Sequence, residues 1–148
     1  MNKRYTLAIL AYLAPTFALG FVWHLVLFKD YYESLAIYRT DIIIPLGFVS
    51  MLVQSMLFAW ICDRMFAAAS SSTGSLMFKY AFLGAVLSWS FTTLAVGAKN
   101  IMSSVPRFML IETAFTIVQW LMVAPLTILA FRGRRGSASA IPGVPTGG

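Results

Sequence analysis

Residues 108–131 read FMLIETAFTIVQWLMVAPLTILAF, an unbroken apolar run that carries one carboxylate, Glu112, near its start. About 20 apolar residues cross a hydrocarbon core of about 30 Å, and this stretch is long enough to do so. An ionised side chain inside such a run is costly and needs a partner, a cavity or a proton. The run therefore sets both the class of the chain and the first place to look for chemistry.

Three similar runs precede it. Residues 5–28 read YTLAILAYLAPTFALGFVWHLVLF, residues 42–61 read IIIPLGFVSMLVQSMLFAWI, and residues 77–97 read MFKYAFLGAVLSWSFTTLAVG. Lipid cannot satisfy backbone N–H and C=O groups, so each run must be a helix. None shows the polar–apolar alternation of a membrane barrel strand. The composition agrees, with 59% hydrophobic and 11% charged residues, where soluble domains carry about 25% charged. Mean hydropathy is +0.81. The expected fold is all-α, one integral-membrane bundle of four transmembrane helices within residues 1–131. Residues 132–148, RGRRGSASAIPGVPTGG, are basic and rich in Gly, Pro and Ser, and are expected to form a disordered tail.

The start of the chain has a second reading. Lys3 and Arg4 followed by an apolar run resemble a signal peptide, with Thr16-Phe17-Ala18 as a poor cleavage site. The run continues to Phe28, beyond the apolar core of about 7–15 residues in such peptides, so an uncleaved span is expected. The connections are short. Residues 63–76 are expected to be a flexible loop and residues 98–107 a tight one. In residues 29–41, KDYYESLAIYRTD, Tyr31, Leu35 and Tyr38 recur at a spacing that predicts a short interfacial helix.

Orientation follows from the 11 Lys and Arg residues. Lys3, Arg4, Arg64, Lys79, Arg132, Arg134 and Arg135 fall on one face, and Lys29, Arg39, Lys99 and Arg107 on the other. The larger set marks the cytoplasmic side, so both termini are expected there. The net charge of +6 points to anionic lipid at the basic tail and not to nucleic acid, because the cations flank the spans. The lipid bilayer is thus the main partner, and a homo-oligomer or a larger membrane complex is the other.

Depth assigns the polar residues. His24 lies one turn, about 6 Å, below the end of the first span. Glu112 lies one turn inside the fourth span at the same level, so the two are expected to meet if their helices pack. Arg107 offers Glu112 a competing partner. Glu112, Thr116 and Gln119 share one face of the fourth helix by i, i+4, i+7 spacing, with Phe115 at its border. Gln54 and Gln119 sit near mid-span, where amides usually bond between helices. Together His24, Glu112, Gln54, Gln119 and Thr116 form a candidate site for a ligand or a proton. The plainer reading of the same residues is structural pairing. Gly84, Ser88 and Thr92 recur every four residues, the pattern of a close helix-packing seam. MLVQSM and TIVQWL align on the two glutamines, a match too short to establish two duplicated hairpins. Trp23 and Trp60 suit interfacial belts, while Trp89 and Trp120 lie deeper. Cys62 is juxtamembrane, where a lipid could be attached.

Catalytic and cofactor motifs are absent: there is no GxSxG, HExxH, Walker loop or GxGxxG. One His and one Cys do not make a multi-ligand metal site, and neither a metal nor a cofactor is expected. An enzyme using Glu112 and His24 as acid and base lacks a visible nucleophile. The leading expectation is a membrane protein that binds or passes a small ligand or proton at an outward-facing polar cluster. The alternative is an accessory or scaffold subunit packed against a larger complex.

The segment GFVWHLVLFKDYY, starting at Gly20, resembles the first span of the DUF1761 family of small bacterial membrane proteins. The matching positions are Trp23, His24, Leu27 and Phe28, with a second likeness at Arg107 and Glu112. The resemblance implies a four-helix protein of the bacterial inner membrane, without implying an activity.

Overall fold

A computed structural model describes residues 3–39, 41–68 and 72–132; the expected tail lies outside the described residues except for its first position. Helix α1, Lys3–Val22, runs on through a wide π-turn at Trp23–Leu27. A short helix α2, Lys29–Leu35, follows at once. Helix α3 covers Ile44–Ala68. Helix α4, Thr73–Trp89, passes through a second π-turn, Ser90–Leu94, into α5, Ala95–Lys99. Helix α6, Val105–Arg132, closes the bundle. No strand occurs among the described residues, and the fold is an all-α bundle. Four helical stretches are long and apolar enough to cross a membrane: Lys3–Leu27, Ile44–Met65, Thr73–Lys99 and Val105–Phe131.

Two connections differ from expectation. The flexible loop expected over residues 63–76 is mostly helix, because α3 continues to Ala68 and α4 begins at Thr73. Small residues such as Ala67 and Ala68 prolong a helix as readily as they fill a loop. A short helix does form in this connection, but it stops at Leu35, where Ala36 turns into the left-handed region at φ 53°. Tyr38 therefore lies beyond it, and the buried pair is Tyr32 with Leu35 in place of the Tyr31, Leu35 and Tyr38 face.

Helices α1 and α6 form the centre, with α3 packed on α1 and α4 on α6. Lipid tails are as apolar as Leu, so packing and hydrogen bonds hold such helices together more than the hydrophobic effect does. The half of the bundle that holds the start of α1 and the end of α6 is filled. Tyr12, Phe58, Tyr80 and Trp120 interlock there, with Phe58 and Trp120 ring centres 4.7 Å apart at 73° and Tyr80 and Trp120 5.5 Å apart. The Tyr80 hydroxyl donates to Phe58 O at 3.1 Å. Gly84 lets this happen, since a Cβ on it would lie 2.0 Å from the Trp120 ring. Cys62 is fully enclosed in the same core, which removes the reading of it as a lipid attachment point.

The other half is capped and split. Helix α2 folds against the start of α6 through a second apolar cluster of Tyr32, Leu35 and Phe108. Ser103 ties it down: its N–H donates to Leu35 O at 3.0 Å and its hydroxyl to Ser34 O at 2.8 Å. Residues 41–50 are all exposed, so the first turns of α3 stand off from the bundle at this end.

Candidate functional site

The π-turn at the end of α1 presents His24. Phe28 N–H bonds Trp23 O at 3.0 Å across five residues, widening the helix by one residue per turn. His24 Nδ1 lies 2.9 Å from Gly20 O. A carbonyl only accepts, so Nδ1 carries a hydrogen. The opposite nitrogen, Nε2, lies 3.2 Å from Glu112 Oε1. With Nδ1 already protonated, this contact needs one proton between the two groups. Either Nε2 holds it, giving imidazolium and carboxylate, or Glu112 holds it and donates to a neutral imidazole. In both forms the pair is neutral overall, which is the state that a low-dielectric surrounding favours.

Tyr32 completes the site from α2. Its hydroxyl donates to the same Glu112 Oε1 at 2.6 Å. Burial, and then the Glu112 charge, push the Tyr32 phenol well above its ordinary value, so it stays protonated and remains a donor. Aromatic rings close around the imidazole. Phe115 lies 4.6 Å from His24 edge-on, Tyr32 4.8 Å and Tyr38 6.2 Å away, with Tyr32 and Tyr38 stacked at 5.1 Å. Glu112 itself is 7% exposed, and its second oxygen, Oε2, makes no hydrogen bond among the described residues.

A cleft of about 430 Å³ leads away from the pair. Thr16, Phe17, Gly20 and Phe21 of α1 form one wall, and Gly47, Phe48 and Met51 of α3 the other. Ser88 and Thr92 face it from the α4 side. Gln54 and Gln119 lie at its base, joined by Tyr12, whose hydroxyl donates to Gln54 Oε1 at 3.1 Å. Gln119 Nε2 approaches the Tyr12 hydroxyl at 3.4 Å and Thr16 Oγ1 at 3.5 Å, both long contacts. Gln54 Nε2 donates to Ser50 Oγ at 3.1 Å. Phe21, Ile44 and Phe48 are each close to half exposed, so the cleft opens sideways along α1 and α3. A second cavity, of about 540 Å³, lies on the polar side of His24 and Tyr38, among Lys29, Glu33 and Arg39. His24 and Tyr38 line both spaces.

Four of the five residues expected at the site, His24, Glu112, Gln54 and Gln119, thus line one cleft. Thr116 does not; it is buried at 4% exposure and lies off the cleft lining. Gly84 and Ser88 both meet Trp120, whose Nε1 donates to Ser88 Oγ at 3.1 Å. Thr92 departs from that packing row, being exposed on the cleft. Arg107 is no partner of Glu112: it lies over the Tyr31 ring at 4.8 Å, and Tyr31 donates to Arg107 O at 3.2 Å. Sequence reading missed Tyr12, Tyr32 and Tyr38. A phenol deep in an apolar run is the available signal for Tyr12, and for Tyr32 its place one residue along from the residue chosen. Among the described residues no three His, Cys, Asp or Glu side chains converge.

No family model, curated protein or solved structure matches this chain.

Proposed function

We propose that this multi-pass membrane protein binds a small, mostly apolar ligand in the cleft and holds the ligand's polar end at Glu112 and His24. The observation that carries the reading is the cleft itself. It joins a buried carboxylate, an imidazole and two amides within a bundle whose other half is tightly filled. Apolar walls with a few convergent polar groups are the usual make-up of a small-molecule site. The lateral opening suits a ligand dissolved in the bilayer. With the termini in the cytoplasm, as the distribution of Lys and Arg favours, the second cavity faces outward and gives the site's proton a route to water.

The accessory-subunit reading calls for small residues such as Gly84 and Ser88 on the lipid face, and both are turned toward Trp120. The cleft favours binding.

Benzophenone, an uncharged apolar photoprobe, tests this directly. The full chain in nanodiscs should be labelled saturably, with adducts at Phe48 and Met51. Gly47→Phe should weaken labelling at least tenfold while leaving the fold intact, because a Cβ at Gly47 meets nothing within 4 Å and the new ring fills the cleft. Non-saturable labelling, equal in both proteins, would overturn the proposal.

A further inference from the structure

Resting on the reading of the cleft as a ligand site, we infer that its ligand is a lipophilic organic cation of the quaternary-ammonium class, and that binding the cation releases the proton shared by His24 and Glu112. Three observations converge on this. First, the charge in the cleft is one-sided: Glu112 is the single carboxylate among its lining residues, and no Lys or Arg lines it. An anion would meet a carboxylate whose one possible counter-charge, His24, is already engaged with it at 3.2 Å. Second, the amide donors are already engaged in part, Gln54 Nε2 with one of its two hydrogens. Gln54 Nε2 bonds Ser50, and Gln119 Nε2 reaches Tyr12 and Thr16. What remains free at Glu112 is Oε2, an acceptor. Third, aromatic rings line the approach to the acid. Phe17, Phe21, Phe48, Phe115 and Tyr38 line the space through which a ligand would reach it, and ring faces attract cations that have shed their water.

Charge balance then dictates the exchange. The His24–Glu112 pair is neutral when it holds its one proton. A cation placed beside Glu112 adds one positive charge to a site with little water, which is costly. Release of one proton restores neutrality and leaves neutral imidazole, carboxylate and bound cation. Nδ1 keeps its hydrogen on Gly20 O, so the proton that leaves is the one between Nε2 and Oε1. His24 lines both cavities, so the proton has an exit through the polar one.

The neighbouring ionisable groups do not compete for this role. Tyr32 from α2 faces Glu112 as a protonated donor. Tyr38 stands beside His24. Lys29 and Glu33 pair with each other at 3.6 Å, and Arg39 pairs with Asp41 at 2.9 Å. Arg107 is engaged over Tyr31. Helices α3 and α4 bring no ionisable side chain to the cleft lining.

The test pairs (4-benzoylbenzyl)trimethylammonium with uncharged benzophenone on the full chain in nanodiscs. Calorimetry in two buffers of different ionisation enthalpy should show close to one proton released per cation bound and none for benzophenone. Cation affinity should rise with pH, by up to tenfold per unit while the pair is protonated. Glu112→Gln should lose cation binding at least tenfold while still binding benzophenone, which shows that the cleft has folded. Tyr38→Leu should weaken the cation more than the neutral probe. Cation binding with no proton release, or undiminished in Glu112→Gln, would overturn the inference. Benzophenone binding without cation binding would sink the inference and leave the cleft as a ligand site. Failure of both probes on the wild-type chain would remove both.

Discussion

Glu112 is tolerable in an apolar helix because two side chains meet one of its oxygens. Tyr32 donates at 2.6 Å and His24 stands at 3.2 Å. Tyr32→Phe removes the shorter contact and keeps the ring. Hydrogen bonds to charged groups contribute about 1.5–3 kcal/mol in water-soluble proteins and less between membrane helices. A loss of about 1–2 kcal/mol in reversible unfolding from mixed micelles is expected, and an unchanged stability would mean that water replaces the phenol. The same variant reports on pH. The folded Tyr32 phenol titrates above its unfolded value of 10.0. Its contribution is therefore complete below about pH 10 and is lost as pH rises further, because the unfolded chain gives up a proton that the folded chain retains. Tyr32→Phe should show a shallower alkaline decline above pH 10. The His24–Glu112 pairing was legible in the sequence because helix rise converts residue number into depth. Tyr12, which joins Gln54 to Gln119, was not legible. Depth says nothing about rotation around a helix axis, and a span that is apolar all round has no moment to reveal which side faces in.

At the scale of elements, the four spans were legible from hydropathy, and their ends were not. Helix α3 runs past its apolar stretch because nothing in Ala67-Ala68 stops a helix, whereas α2 stops at Leu35 without a glycine to mark it. Neither π-turn was legible either, since the widened turn at Trp23–Leu27 has no local sequence mark. The close approach of α4 and α6 is the element contact with the sharpest test. Gly84 faces the Trp120 ring, and a Cβ there would come within 2.0 Å of a rigid indole. Overpacking of this kind costs about 1–3 kcal/mol. Gly84→Ala should lower the thermal midpoint by that equivalent. Trp120→Leu alone should also destabilise, through lost packing and the lost bond to Ser88. Combined, the two should cost less than their sum, since the smaller side chain leaves room for the methyl. Strict additivity would show that the helices adjust without the indole.

For the whole molecule, the asymmetry between a filled half and a split half makes orientation matter: the split half holds the proposed site, and its side of the membrane would decide where the proposed proton goes. We propose that this half faces outside, because cations flanking the spans are held back on the cytoplasmic side during insertion and the larger set of Lys and Arg lies at the other end. Cys62 makes the test clean, being buried at 0% exposure and so silent toward a maleimide. Ile101, in the loop between α5 and α6 at the split end, is 96% exposed. Gly74, at the opposite end, has open space where a side chain would be added. Ile101→Cys should react with a membrane-impermeant maleimide in intact cells. Gly74→Cys should react only after permeabilisation. The reverse pattern would turn the molecule over and place the Lys29, Glu33 and Arg39 cavity in the cytoplasm. The His24–Glu112 pair would then exchange its proton with the cell interior, and the outward-facing reading of the site would be wrong even if the cleft binds its ligand.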